Sequence, residues 1–287
     1  MSVVEQPIPR GVRLSRRMFS ASGWAVCGTC LVVLSVLMVW ILSVVFLRGM
    51  HALRPSLFTT VTQGSGGGLL NAIEGTVVLS LGALALAVPF GVAAGIYTSE
   101  YRNDSWAVGI RFLADVLVGV PSIVLGYFGY VGMVEWLGWG FSVAAGAIVL
   151  AVMSLPYICR TTELALRRVP NELRDAAYAL GANDRQVVLG VCLPVALPAI
   201  LTGVLLALAV SVGETAPLLY TAGWSSFMWD GRLTHSPIGY LTYAIWTFIN
   251  EPFASANALA YAAAFLVTGF VLVINVVARF VLSRRAR

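Results

Sequence analysis

The amino-acid sequence predicts an all-α integral membrane protein with six transmembrane helices, and three observations carry that prediction. Of its 287 residues 59% are hydrophobic and 11% charged, with a mean hydropathy of +0.87, whereas a soluble domain carries about 25% charged residues. Six uncharged windows each approach or exceed the ~20 residues that a helix needs to cross about 30 Å of hydrocarbon. The arginines gather in alternate loops between those windows, as a multi-pass topology requires. The ~10-residue alternating segments of a transmembrane β-barrel do not occur in the sequence.

Residues 1–23 form a polar, arginine-rich tail, expected to be mobile. The first window, Trp24–Leu47, is longer than the ~7–15-residue apolar core of a signal peptide. No small-x-small cleavage site follows it before Arg48, so it reads as an uncleaved helix. It contains Cys27 and Cys30, and Cys159 and Cys192 lie at the edges of later windows. With no partner histidine or second cysteine pair, the C-x-x-C spacing reads as small, buried packing residues. The stretch from Arg48 to Gly68 ends in Gly64-Ser65-Gly66-Gly67-Gly68, which predicts a flexible outer loop. Residues 24–70 thus comprise the first helix and this loop, ahead of a compact core at 71–278.

Within that core the second window, Gly75–Ser99, is rich in Gly and Ala and has Pro89 at its middle. Small residues let membrane helices approach closely, and a central proline permits a bend. A short inner loop, Glu100–Ile110, leads to a third window at Val116–Val134. There Asp115 stands one turn after Arg111, a spacing that allows a local ion pair. An outer turn at Trp136–Trp139 opens the fourth window, Trp136–Cys159, and its tryptophans suit the membrane interface. The fifth window is Gln186–Gly213 and the sixth Pro252–Ala278, separated by a semi-apolar outer segment, Thr221–Glu251, expected to lie on the membrane surface or re-enter it. Residues 279–287 form a second polar tail.

The chain contains no lysine. Placing the N-terminus in the cytoplasm puts fifteen of its arginines inside and only Arg48, Arg54 and Arg232 outside. With six spans both termini are then cytoplasmic. The net charge of +5 is accordingly a topology signal, and nucleic acid is not a partner. Only two histidines occur, His51 and His235. No H-E-x-x-H, G-x-S-x-G or phosphate-loop motif is present, which argues against an enzyme and calls for no cofactor or metal.

The inner loop 160–193 carries the most specific pattern: Asp175-Ala176-Ala177-x3-Gly181-x9-Val191-x-Leu193-Pro194. It reads as one or two short helices interrupted at Gly181, where a turn disfavours a β-carbon. Asn171 and Asn183 are candidate caps, and Glu172 and Asp175 suit the positive end of a helix dipole. The alanine pair offers a surface without bulk. Arg174 and Arg185 are placed to pair with acidic groups of a partner, and Pro194 is tolerated in a first helical turn.

This pattern resembles the E-A-A-x3-G-x9-I-x-L-P loop of ATP-binding-cassette importer permeases, with Asp175 and Val191 as conservative departures. Further strings are similar to the A-type permease subunits of phosphate-specific transport (Pst) systems: Ala87–Tyr97, Gly119–Val124, Arg160-Thr161-Thr162-Glu163 and Gly213–Leu219. The resemblance covers roughly residues 71–278. It implies a type I importer permease core of the MetI-like kind, with Asp175, Ala176, Ala177, Gly181, Leu193 and Pro194 coupling to a cytoplasmic ATPase. It also implies a homologous second permease, a dimer of ATP-hydrolysing subunits, an extracytoplasmic phosphate-binding protein, and phosphate as cargo.

An anion crossing hydrocarbon needs charge compensation, and ionisable residues in spans are candidates by default. Glu214, after a long uncharged run, and Arg160, at the inner mouth of the fourth helix, are the expected substrate-path residues. One departure bears on this: many A-type relatives carry an arginine three positions before the first glycine of Gly-Glu-Thr-Ala-Pro, where this chain has Val210. Other tetrahedral oxyanions, such as molybdate or sulfate, and a phosphate-sensing role are the alternatives.

Overall fold

A computed structural model describes residues 10–285, with side chains from residue 19 to residue 280. It divides into two units, Met1–Arg48 and Gly49–Arg287. The first is the greater part of a single helix, α1 (Arg10–Ala52). The helix begins well before Trp24, so the second half of the expected mobile tail is helical, because residues 10–23 contain no proline and only two glycines to stop it. Residues 1–9 of that tail lie outside the described residues. Its apolar side chains are exposed on all sides from Leu31 to Leu42, as expected of a helix solvated by lipid tails.

The second unit opens with an ordered turn where the glycine run predicts a flexible loop. Pro55–Phe58 forms one 3₁₀ turn, and β1 (Thr62–Gln63) pairs antiparallel with β2 (Gly66–Gly67). Gly64 and Gly67 adopt φ of +55° and +82°, which is what these glycines are for: they close a tight hairpin. Asn71 then locks it. Its Oδ1 accepts from the Thr62 amide and hydroxyl, and its Nδ2 donates to the Ser225 carbonyl at 2.8 Å.

Helix α2 (Leu70–Glu100) runs unbroken through Pro89. Its small residues do what their composition predicts. Ala83 and Ala87 are fully buried, and a β-carbon on Gly91 or Gly95 would collide with Ile158 or Thr162 of α5 (Val143–Arg167). The predicted fourth window is thus helical only from Val143. The residues before it turn through Gly138 and Gly140 at positive φ, and Ser142 caps α5.

The third window is broken. Helix α3 (Ser105–Gly119) and helix α4 (Ser122–Gly129), which continues as a wide π-helical turn over Tyr130–Trp136, meet at 103°. Pro121 explains the break, since it pushes Val120 into the extended region (φ −77°, ψ 127°). Asp104 caps α3, which shortens the inner loop to 101–104. Counting the bent pair as one span, the described residues hold up to six candidate membrane crossings.

After α5 the inner loop folds into α6 (Asn171–Ala179) and α7 (Asp184–Gln186). A π-turn (Val187–Cys192) then runs directly into α8 (Leu193–Gly213). Pro194 thus falls in the first turn of α8, as expected, with the π-turn joined directly ahead of it. The widened turn is where its missing N–H falls. A short α9 (Ala216–Thr221) follows. The outer segment then lies over the start of α2 and ends in α10 (Leu241–Phe248), before α11 (Ala254–Arg285). Gly75 makes room for the Gly239 backbone, Thr76 Oγ1 accepts from the Leu241 amide, and Glu74 accepts from Trp229. One core joins α2, α5, α8 and α9 around Leu79, Leu150, Ile158 and Leu218, and a second joins α2, α10 and α11.

Candidate functional site

The loop between α5 and α8 is an ordered knuckle. Helix α6 ends in a Schellman motif: Leu180 is the cap and Gly181 lies at φ +84°. The Gly181 amide donates to the Tyr178 carbonyl and the Ala182 amide to the Ala177 carbonyl. Space around Gly181 is open, so its backbone conformation alone requires glycine. Asn183 starts the next turn with a capping box, bonding reciprocally with Gln186 at 2.9 Å both ways. Asn171, by contrast, sits inside α6 behind Pro170 and makes no cap.

The motif residues divide into two sets. Asp175, Ala176 and Pro194 are exposed, whereas Ala177 and Leu193 pack with Val187, Cys192 and Leu166 beneath the knuckle. Only one alanine of the pair therefore offers a surface, and the other is an anchor. Arg174 does not face outward. It grips Glu100 at the end of α2 with two bonds of 2.7 and 3.1 Å and donates to the Leu166 carbonyl. Arg185 remains exposed. The outward face carries apolar side chains that the motif leaves unspecified: Leu173, Tyr178 and, 90% exposed, Leu180. Leu180 is thus the most exposed apolar side chain of the loop.

Behind the knuckle lies a charge cluster. Glu163, 1% exposed in α5, accepts from Arg111 of α3 at 2.7 Å, from Arg160 at 3.2 Å and from Arg167. Arg111 also donates to the Thr98 and Arg102 carbonyls and so clasps the end of α2. The expected local pair with Asp115 is not formed. Arg111 turns instead toward the buried carboxylate, where the lower dielectric strengthens the bond. Glu163 escapes a reading by sequence position because its importance depends on a partner 52 residues away. Arg160 lies within α5, with its side chain half exposed.

Glu214 stands at the break between α8 and α9, in extended backbone, and its carbonyl accepts from Thr242 at 2.7 Å. It lines a small cavity with Thr76, Ser80, Ser211, Tyr240 and Thr242, and Val210 is half-buried one turn earlier. The fold does not bring Glu214 and Arg160 together. Ser154 of α5 and Ser211 of the antiparallel α8 touch at 3.0 Å. Arg160 lies beyond that contact toward one end of the bundle and Glu214 toward the other, about 13 Å apart along the axis at ~1.5 Å per residue. Among the described residues no group of three or more His, Cys, Asp or Glu is arranged to hold a metal.

The sequence that builds this bundle matches a known family model. The "binding-protein-dependent transport system inner membrane component" model covers residues 87–287. The chain belongs to that family. It is 46% identical over 281 residues to "phosphate transport system permease protein PstA 2" of Mycobacterium tuberculosis, covering 97% of this chain and 93% of the relative. Identity to the PstA of Yersinia pestis is 41%, covering 86% and 84%. Among solved structures, the inward-facing MetNI methionine ABC transporter shares the fold. The TM-score is 0.56 at 21% identity, covering 75% of this chain and 94% of the matched one.

This importer permease is a multi-pass membrane protein with the MetI-like core that the sequence implies. The family model begins at residue 87, inside α2, and leaves α1 outside it. Cys159 and Cys192 are buried packing residues as expected, but Cys27 and Cys30 are not: both are exposed on α1, whose surroundings leave its side chains uncovered.

Proposed function

We propose that this permease carries inorganic phosphate across the cytoplasmic membrane as one half of a heteromeric pair. An extracytoplasmic phosphate-binding protein delivers the anion, and two ATPase subunits drive alternating access. The phosphate-permease names of relatives 46% identical over nearly the whole chain support the cargo most directly. Both termini and the knuckle lie in the cytoplasm, in keeping with the arginine distribution.

On this reading the exposed residues Asp175, Ala176 and Leu180 enter a groove on the ATPase. Gly181, Ala177, Leu193 and Pro194 hold the turn that presents them. Force on the knuckle passes to α2 through Arg174 and Glu100, and to α5 and α8 through the apolar cluster around Val187. Glu214 and Arg160 act at successive depths of the path, Arg160 supplying positive charge at the inner mouth and Glu214 accepting a proton of the phosphate. With valine at position 210, further charge compensation comes from the partner permease. No residue of this chain performs catalysis.

Uptake of radiolabelled phosphate by cells lacking this gene, complemented with the native chain or with Leu180→Glu, tests the reading. Loss of uptake with normal membrane insertion of the variant is expected. Unchanged uptake in the deletion strain, together with altered expression of phosphate-starvation genes, would instead establish a sensor, and molybdate or sulfate uptake that tracks the gene would replace the cargo.

A further inference from the structure

We infer that the groove between α2, α3 and α5 is a binding site for an anionic phospholipid, with an acyl chain in the groove and the headgroup phosphate on the arginines around Glu163. The groove encloses about 220 Å³ and has an almost wholly apolar lining, including Phe90, Ala94, Leu113, Ala114 and Pro156. Phe90 and Leu113 are 65% and 60% exposed, so it opens onto the outer surface of the described unit. A groove of this kind in a membrane bundle takes a chain of methylenes, which gains dispersion contacts that a bulk lipid next to a flat wall lacks.

Charge selects the headgroup. At one end the groove is lined by Ile110 and Cys159, the immediate neighbours in sequence of Arg111 and Arg160. One turn of α5 beyond that end, at Glu163, three guanidinium groups meet one carboxylate, a net charge of +2 among these four groups, none of which lines the groove itself. Glu163 is sealed inside, but the Arg160 and Arg167 side chains keep 50% and 34% of their surface. Their remaining N–H donors are free to bind phosphodiester oxygens, for which guanidinium geometry is well matched. Basic pockets between spans at one membrane face bind anionic headgroups for this reason. Arg160 is also the residue that the proposed cargo path uses, so Arg167 carries the headgroup contact, and with it the inference needs only that the chain spans a membrane.

The test uses the full-length protein with the subunits that copurify. It is placed in nanodiscs of phosphatidylcholine with or without phosphatidylglycerol, and bound lipid is counted by native mass spectrometry. Retention of phosphatidylglycerol over phosphatidylcholine is expected. Arg167→Gln should lower that retention about fivefold, as one arginine near an anionic headgroup contributes about 1 kcal/mol. Ala114→Phe, which fills the groove without touching the charges, should lower retention of either lipid. Equal retention of both lipids in the native protein would overturn headgroup recognition, and so would displacement of the lipid by millimolar inorganic phosphate. A photo-crosslinking amino acid at position 113 decides the occupant independently of either variant's stability. Lipid adducts support the inference, and adducts to a second polypeptide refute it.

Discussion

Replacing Glu163 by glutamine removes the charge on which three arginines converge and leaves the shape nearly unchanged. The cost follows from the exposure of each partner. Arg111 is 20% exposed and bonds at 2.7 Å, so its charge-assisted bond contributes about 2 kcal/mol. Arg167, 34% exposed, is more screened and adds about 1 kcal/mol, and Arg160, 50% exposed, adds about 0–1. The glutamine oxygen still accepts one bond, returning about 1 kcal/mol, and the three arginines are left facing one another. The expected net loss is about 3 kcal/mol, at the lower edge of what breaking a buried ion pair costs. Unfolding of the purified protein by titration with a denaturing detergent reads this directly. A double-mutant cycle with Arg111→Gln should return a coupling of about 2 kcal/mol, since the Arg111 bonds to the Thr98 and Arg102 carbonyls are lost in both backgrounds and cancel. A loss below about 0.5 kcal/mol for Glu163→Gln would refute the idea that this carboxylate ties α3 to α5.

Other perturbations probe the remaining elements. Asn71→Leu strips three hydrogen bonds from a side chain 1% exposed and should destabilise the hairpin and outer segment by about 3 kcal/mol, seen as faster proteolysis near residues 60–70 with the rest of the bundle intact. Gly181→Ala should cost about 1–2 kcal/mol because its φ is +84°, and Gly181→Asn distinctly less. Hydrogen exchange across residues 176–186 ranks the two, and equal protection in both would show that the Schellman turn does not limit opening. Asp104 accepts from the Tyr97 hydroxyl at 2.6 Å and from the Trp106 amide, and the tyrosine bond foremost holds its pKa below the usual carboxylate value. The folded value being the lower one, its contribution is complete above the ordinary pKa of ~3.9 and is lost as pH falls through the depressed value. Asp104→Asn should flatten the acid limb of α3 stability, followed by helix signal between neutrality and pH ~3, and an unaltered limb would contradict this.

Much of the architecture was legible because lipid imposes its own arithmetic: spans must be apolar for about 20 residues and loops hold the charges. The E-A-A-like spacing marked the knuckle for a similar reason, since Gly181 and Asn183 meet local backbone requirements that sequence neighbours alone decide. The break at Pro121 was equally local in cause. Yet hydropathy is blind to it, because a bent pair and a straight helix present the same apolar window. The roles of Arg174, Arg111 and Glu163 are not legible in this way. Each is an ordinary charged residue until a partner 52 or 74 positions away arrives.

The sequence by itself thus determined the class of protein, the candidate spans and the position of the ordered loop between α5 and α8, and its resemblance to known permeases pointed to the family. The first three rest on composition and on short-range spacing, and the family on strings shared with known permeases. Tertiary structure alone decided which face of that loop is presented, with Ala176 and Leu180 outside and Ala177 inside. It also decided that Glu214 and Arg160 sit at different depths, and that Arg174 braces the loop against α2 instead of waiting for a partner. Burial and charge pairing depend on what packs against a residue, and in a bundle of long helices that neighbour comes from elsewhere in the chain.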